Sequence, residues 1–182
     1  FIKTTDFEIP QIESGIYFIA ENFSNNIYKD KIPFIVKAVG NIDLMIIYPS
    51  NTGNAYNAFG GRSLYTSPRA TTVSFMRPQY LRHFSIPFLE WIANQPYNIG
   101  YASDFDMEDE DILKTSKVLL VPGHSEYWSR TARENFDNFI DQGSNAIFLS
   151  GNNMWWQVRY SQNGKKMICY KSEDDPVGDP LL

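Results

Sequence analysis

Residues 117–159 read KVLLVPGHSEYWSRTARENFDNFIDQGSNAIFLSGNNMWWQVR, and the order of signals within them decides the fold. Two short apolar runs, 118–121 and 146–149, each stop shortly before a glycine, as buried parallel strands do when they end at a functional edge. Between them the pattern predicts one amphipathic helix. Thr131 and Glu134 have capping-box spacing, Ala132, Phe136, Phe139 and Ile140 share one face, and Gly143 stands where a left-handed C-terminal residue belongs. Strand, helix and strand in this order make a βαβ unit. Ligands of open α/β sheets bind outside the carboxyl ends of the strands, so the corners at 123–128 (GHSEYW) and 151–153 (GNN) are expected close together.

Outward from this unit, residues 43–48 contain the apolar run Leu44-Met45-Ile46-Ile47, read as the first strand of the parallel sheet. Residues 16–20 and 32–36 are two further strands, forming a hairpin or small lobe. Pro87 opens a helix expected to run to Asn94, and residues 97–102 read as another strand. The stretch 50–69 is rich in Asn, Gly, Ser and Tyr without clear periodicity, so a long functional loop is expected there. The fold class is therefore α/β, with an open, mainly parallel sheet flanked by helices. Residues 1–182 read as one domain fragment, with N-terminal strands over 1–40, an α/β core over 41–160, and a tail over 161–182 continuing into a longer parent chain.

Composition narrows the partners. The formal net charge of −5 argues against a nucleic-acid backbone, and no apolar run is long enough to span a bilayer. One cysteine, Cys169, excludes an intrachain disulfide and offers no zinc cluster, which suits a reducing compartment and a cytoplasmic location. The acidic residues Asp104, Asp106, Glu108, Asp109, Glu110 and Asp111 invite a calcium reading, but Asp109 and Thr115 stand where an EF-hand loop needs Gly and Glu. A solvated turn and helix start is expected instead.

Candidate chemistry starts at the strand ends. Ser150 is a hydroxyl after the second apolar run, but no G-x-S-x-G frame surrounds it and only His83 and His124 could act as its base. His124, beside a glycine, serves equally to brace the corner. Glu126 is placed at a strand's carboxyl end to bind a metal or move protons, while a helix N-terminal acid facing the dipole is the plainer reading. Tyr17, Tyr56 and Tyr65 lie in strand-end or loop positions where tyrosines usually pack. Lys171 follows the apolar 167–170 segment and could point into the same site.

Taken together, GNAYNAFGGRSLY (53–65), VSFMRPQY (73–80), VLLVPGHSEYWS (118–129), FLSGNNMWWQVR (148–159) and MICYKSEDDP (167–176) resemble the C-terminal domain of the large (beta) subunit of N,N-dimethylformamidase and its relatives. The resemblance implies a class I glutamine-amidotransferase-like (flavodoxin-like) layering. It also implies a mononuclear ferric iron held by two tyrosines and a glutamate. Carried over residue by residue, the glutamate is Glu126, one tyrosine is Tyr56 in AYN, and the other is Tyr17 in SGIY, with Tyr65 as its substitute. The catalytic asparagine falls on Asn152 and the catalytic lysine on Lys171. A further catalytic glutamate falls past Leu182, so the fragment alone is expected to be inactive.

The implied chemistry is coherent. Phenolates and a carboxylate are hard oxygen donors suited to ferric iron, and three protein ligands leave positions open for water or an amide carbonyl. Asn152 would orient the substrate and Lys171 would supply charge or a proton, with Phe59, Trp155 and Trp156 as candidate walls. The expected function is hydrolysis of the C–N bond of small N-substituted amides. The expected partners are that amide and either a second copy of the chain or a small subunit. The competing expectation is a non-catalytic binding or assembly domain; the joint presence of Tyr17, Tyr56, Glu126, Asn152 and Lys171 favours the enzyme.

Overall fold

The computed structural model describes residues 8–20, 31–77, 85–171 and 175–176. His83, named above as a candidate base, lies outside them. The centre is a four-stranded parallel sheet built from β3 (Leu44–Tyr48), β5 (Ile99–Ser103), β6 (Val118–Pro122) and β8 (Asn145–Leu149), in the order β5-β3-β6-β8. Counted along the chain the order is 2-1-3-4, and the direction of winding reverses between β3 and β6. In open α/β sheets such a reversal marks where ligands bind, outside the strands' carboxyl ends.

One face of the sheet packs on α4 (Arg130–Asp141), whose Ala132, Phe136 and Phe139 are buried against Met45, Ile47, Leu119 and Val121. The other face packs Ile46, Tyr48 and Leu120 on α2 (Ile86–Ile92), through Ile86, Leu89 and Ile92. An antiparallel ribbon of β1 (Gly15–Ala20) and β2 (Lys31–Val36) lies on this second face through Ile16, Phe18 and Ile35. Burial of alternate faces by helix and ribbon explains why β3 and β6 read as continuous apolar runs.

β8 departs from that reading. It was expected to be buried, yet Ile147 and Leu149 are 44% and 52% exposed, because β8 is the last strand of the sheet and only its α4 face is covered. An apolar run cannot itself report whether its second face has a neighbour. α4 also begins earlier than the capping-box spacing predicts. Ser129 is the N-cap, its Oγ accepting from the Ala132 N–H at 3.1 Å, since the chain enters the helix straight from a strand. Gly143, at φ +86°, ends the helix as expected.

The strand before α4 is β7 (Tyr127–Ser129), which the sequence did not reveal. With β4 (Thr72–Ser74), β9 (Trp156–Tyr160) and β10 (Lys166–Ile168) it forms a second, mixed sheet in the order β4-β10-β9-β7. This sheet packs Val73, Tyr127, Val158 and Met167 on Ala55 and Leu64. Ala55 belongs to α1 (Ser50–Tyr56), a helix standing where a long loop was expected. Its sequence, SNTGNAY, lacks periodicity and helix propensity, so tertiary contacts rather than local preference make it helical.

The acidic segment behaves as the plainer reading expects. Asp109 N-caps α3 (Glu110–Leu113), Glu110 and Asp111 pair with Lys114, and Asp106 accepts from Ser103. Asp104 alone is fully buried. Among the described residues no helix is long and apolar enough to cross a membrane.

Gly100 on β5 has no room for a side chain, since a Cβ would stand 2.2 Å from Ile42 Cδ1 and 2.5 Å from Ala38 Cβ. Gly100→Ala is expected to destabilise the protein by about 1–3 kcal/mol, as overpacking does, measured by denaturant unfolding. An unchanged midpoint would mean that Ile42 and Ala38 move aside freely.

Candidate active site at the strand ends

The two corners expected to meet do meet. The backbone carbonyl of Ser125 accepts from Met154 N–H at 2.8 Å, and that of Glu126 accepts from the N–H groups of Trp155 and Trp156, each at 2.9 Å. The Glu126 N–H donates in turn to Thr52 Oγ1 of α1 at 2.9 Å. Glu126 is thus tied by its backbone to α1 on one side and to β9 on the other, and it is buried.

Its carboxylate is the centre of the site. Tyr56, the last residue of α1, donates from its hydroxyl to Oε2 at 2.7 Å, and Trp156 Nε1 donates to Oε1 at 3.0 Å. Tyr65 stacks on Tyr56 with ring centroids 4.4 Å apart, and Tyr127 meets Tyr56 edge-on. Lys171 Nζ donates to the Tyr127 hydroxyl and lies 4.5 Å from the Tyr127 ring centroid and 4.9 Å from that of Trp156. A carboxylate and an ammonium therefore share one aromatic enclosure.

The enclosure perturbs its members. Burial lowers the Lys171 pKa, and the Glu126 carboxylate opposes the shift. Burial, reinforced by the Glu126 charge, pushes the Tyr127 phenol well above its ordinary range. Buried Cys169 is pushed up to about 11, chiefly by desolvation, and so stays a thiol at neutral pH. Ser150 Oγ is turned to the Asn153 amide, which leaves the serine-hydrolase reading without support.

Backbone strain gathers in the segments that supply these groups. Asn152, Met154 and Lys171 are the non-glycine residues with positive φ among those described, at 52°, 50° and 52°. Such conformations are held only where surrounding structure enforces them, and they cluster at functional sites. Asn152 is exposed at the corner beside the Ser125–Glu126 segment.

The candidate residues do not all converge. Tyr56, Glu126 and Lys171 come together, and Tyr65 joins them. Tyr17 stands on the ribbon, its hydroxyl donating to the Glu13 carbonyl at 2.9 Å and its ring stacking on Phe34. It lines a cleft of about 760 Å³ between ribbon and α2, together with Lys37, Glu90 and Tyr101, which none of Tyr56, Glu126 and Lys171 lines. Of the three expected walls, Trp156 takes part, whereas Phe59 and Trp155 are 58% and 57% exposed.

The residues present fit a hard cation at two ligands. Tyr56 Oη and Glu126 Oε2 are both hard donors and are 2.7 Å apart. Neighbouring ligands around a small six-coordinate ion stand at a similar distance, about 2.9 Å for bonds near 2.0–2.1 Å. Among the described residues no group of three or more His, Cys, Asp or Glu could hold a metal ion.

The chain matches, over residues 3–181, the family described as N,N-dimethylformamidase beta subunit-like, C-terminal. It belongs to that family. Two similar relatives are the N,N-dimethylformamidase beta subunits of an Alcaligenes species and of Paracoccus aminophilus, 23% and 22% identical over 104 residues. The match covers 52% of this chain and 14% of each relative's length. Within this dimethylformamidase beta-like domain, sequence reasoning missed Thr52, Tyr127 and Asp104 as parts of the site's framework. For Asp104 a signal existed: it is a carboxylate just past a strand's carboxyl end, the kind of place that singled out Glu126.

Burial pushes the Asp104 carboxyl up to about 7, against hydrogen bonds from Ser50 and Asn51 that favour its ionised form. The folded state then holds a proton that the unfolded chain releases above its ordinary value near 3.8. The stability that Asp104 contributes is expected to be fully present below that value and to be lost as pH rises to about 7. Asp104→Asn flattens the slope, as pH-dependent chemical denaturation reads out.

Proposed function

We propose that this domain is the metal-bearing hydrolytic part of an amide hydrolase acting on small N-substituted amides, with Tyr56, Glu126 and a second tyrosine holding a mononuclear iron. The observation that carries the reading is the direct Tyr56–Glu126 contact beside a half-buried Lys171. The second tyrosine is Tyr17 by motif and Tyr65 by proximity to Tyr56. The two-faced parallel sheet supports an amidotransferase-like layering, and the beta-subunit names of the relatives support work beside a partner subunit.

Bound there, ferric iron would supply Lewis acidity, polarising the amide carbonyl and lowering the pKa of water. The chain's own groups have separate tasks. Trp156 Nε1 fixes the orientation of Glu126 by holding one oxygen, which leaves the other facing Tyr56. Tyr127, fully buried, and Trp156 restrict water and strengthen the charges inside the enclosure. Lys171 stabilises negative charge on the reacting carbonyl or returns a proton to the leaving amine, and its lowered pKa suits proton transfer. Asn152, at its exposed corner, orients the amide.

One observation favours a second reading, a non-catalytic assembly domain: both Glu126 oxygens already have protein donors. Iron content and visible absorption of the full-length protein separate the two. For the enzyme, near-stoichiometric iron with a phenolate charge-transfer band is expected, lost in Tyr56→Phe. Whichever of Tyr17→Phe and Tyr65→Phe bleaches the band identifies the second tyrosine. A colourless wild type that takes up no added iron overturns the proposal in favour of assembly.

A further inference from the structure

α1 carries two of the contacts that place Glu126, through Thr52 and Tyr56, yet it is too short and too poor in helix formers to stand alone. Its ends explain its persistence. At the N-terminus the buried Asp104 carboxylate accepts from Ser50 Oγ at 2.6 Å and from the Asn51 N–H at 3.1 Å. At the C-terminus Arg77 Nη2 donates to the Asn54 carbonyl at 3.1 Å, and Nη1 donates to the carbonyls of Asn57, Phe59 and Arg62 at 2.7, 3.1 and 3.0 Å. Nε donates to the Ser74 carbonyl on β4, which ties the guanidinium to the second sheet.

The Asp104 oxygens accept at the helix end that presents free N–H groups, and the Arg77 guanidinium donates at the end that presents carbonyls, where its charge also favours an aligned helix dipole. Each also pairs a backbone group that a helix terminus leaves without an intrahelical partner, the Asn51 N–H at one end and the Asn57 carbonyl at the other. Asp104 belongs to the end of the parallel sheet and Arg77 to the mixed sheet, so the two sheets hold α1 between them.

We propose that Asp104 and Arg77 are positioning residues that act as a two-ended clamp on α1, setting Thr52 and Tyr56 against Glu126. The catalytic consequence rests on the function proposed above; the clamp itself does not. With either end released, the helix unwinds, Thr52 Oγ1 leaves the Glu126 amide, and the Tyr56 hydroxyl leaves its carboxylate.

Hydrogen exchange read by mass spectrometry on the full-length protein tests this, since it reports the Glu126 amide without requiring metal or substrate. In Asp104→Ala and Arg77→Met, amides of residues 50–57 and of Glu126 are expected to exchange about tenfold faster or more, while α4 keeps its wild-type rate. Asp104→Asn, which keeps an acceptor for Ser50 and Asn51, is expected to restore exchange to within about threefold of wild type. Thr52→Val is expected to release the Glu126 amide and leave 50–57 protected.

A Glu126 amide that stays protected while 50–57 accelerates overturns the clamp. So does equal acceleration across α4 and the parallel sheet, which would make both residues general stabilisers. Should the Ala and Met variants not fold, Arg77→Lys decides. One ammonium cannot reach all the carbonyls held by Nη1 and Nη2, so exchange at 50–57 and Glu126 must still rise, and unchanged exchange rejects the proposal. Iron content measured on the same samples keeps the readings apart: an iron-free wild type with coupled exchange rejects only the function, and an iron-loaded wild type without coupling rejects only the clamp.

Discussion

Glu126→Ala is expected to abolish iron binding and to lower amide hydrolysis by the full-length protein by roughly 10³-fold or more, beyond the ~10–100-fold typical of losing an outer-sphere partner. The reason is that Glu126 is the junction of the site. Its carboxylate accepts from Tyr56 at 2.7 Å and from Trp156 at 3.0 Å, and its backbone joins α1 to β9. Truncation leaves the Tyr56 hydroxyl and the Trp156 indole N–H without that acceptor in a half-buried place. A stability loss of about 1–3 kcal/mol accompanies the change, the cost of an orphaned donor. Glu126→Gln separates the two effects, because its single carbonyl oxygen keeps one donor and its neutral amide is a poor metal ligand. The expected result is near-wild-type stability with iron and activity still lost. Activity of Glu126→Ala within tenfold of wild type would sink the assignment.

The second large effect is at Lys171. Lys171→Met keeps the length and much of the packing but removes the ammonium, and kcat is expected to fall by about 10²–10⁴-fold, the range for a positioned acid or base. Iron content and its visible band should persist, because Lys171 contacts Tyr127 and lies over the rings of Tyr127 and Trp156. Stability supplies an independent readout. Burial lowers the folded-state pKa of Lys171 below its ordinary 10.5, so between the two values the unfolded chain holds a proton that the folded chain has released. Wild-type stability therefore rises with pH across that alkaline window, and the Met variant lacks this contribution. A Met variant with unchanged kcat would remove Lys171 from the chemistry, and an unaltered alkaline slope would mean its ammonium is solvated as in the unfolded chain.

Much of this site was visible in the motifs. GHSEYW after an apolar run placed Glu126 at a strand end, SGNN placed Asn152 at the facing corner, and CYK placed Lys171 after a short apolar segment. AYN named Tyr56, although the segment carrying it was read as loop. Tyr17 shows the limit of a short motif: SGIY marks a strand on the ribbon, and its hydroxyl is engaged with the Glu13 carbonyl rather than with Tyr56 or Glu126. Tyr65, its substitute, stacks on Tyr56 because residues 56–65 fold back, bringing the Leu64 N–H to the Ala55 carbonyl at 2.9 Å.

By itself the sequence determined the elements whose stability is local and periodic. The apolar runs of β3, β6 and β8, the apolar face of α4 with its glycine stop, and the approach of the two strand-end corners all follow from side-chain period and from the geometry of a βαβ unit. Only the tertiary structure decided the rest. β7 and β10 are three-residue strands that exist because partners lie alongside them. SNTGNAY is a helix because Asp104 and Arg77, distant in sequence, hold its termini. Whether an apolar strand is buried on both faces, as β3 is, or on one, as β8 is, depends on which neighbours arrive, and single-strand patterning carries no record of them.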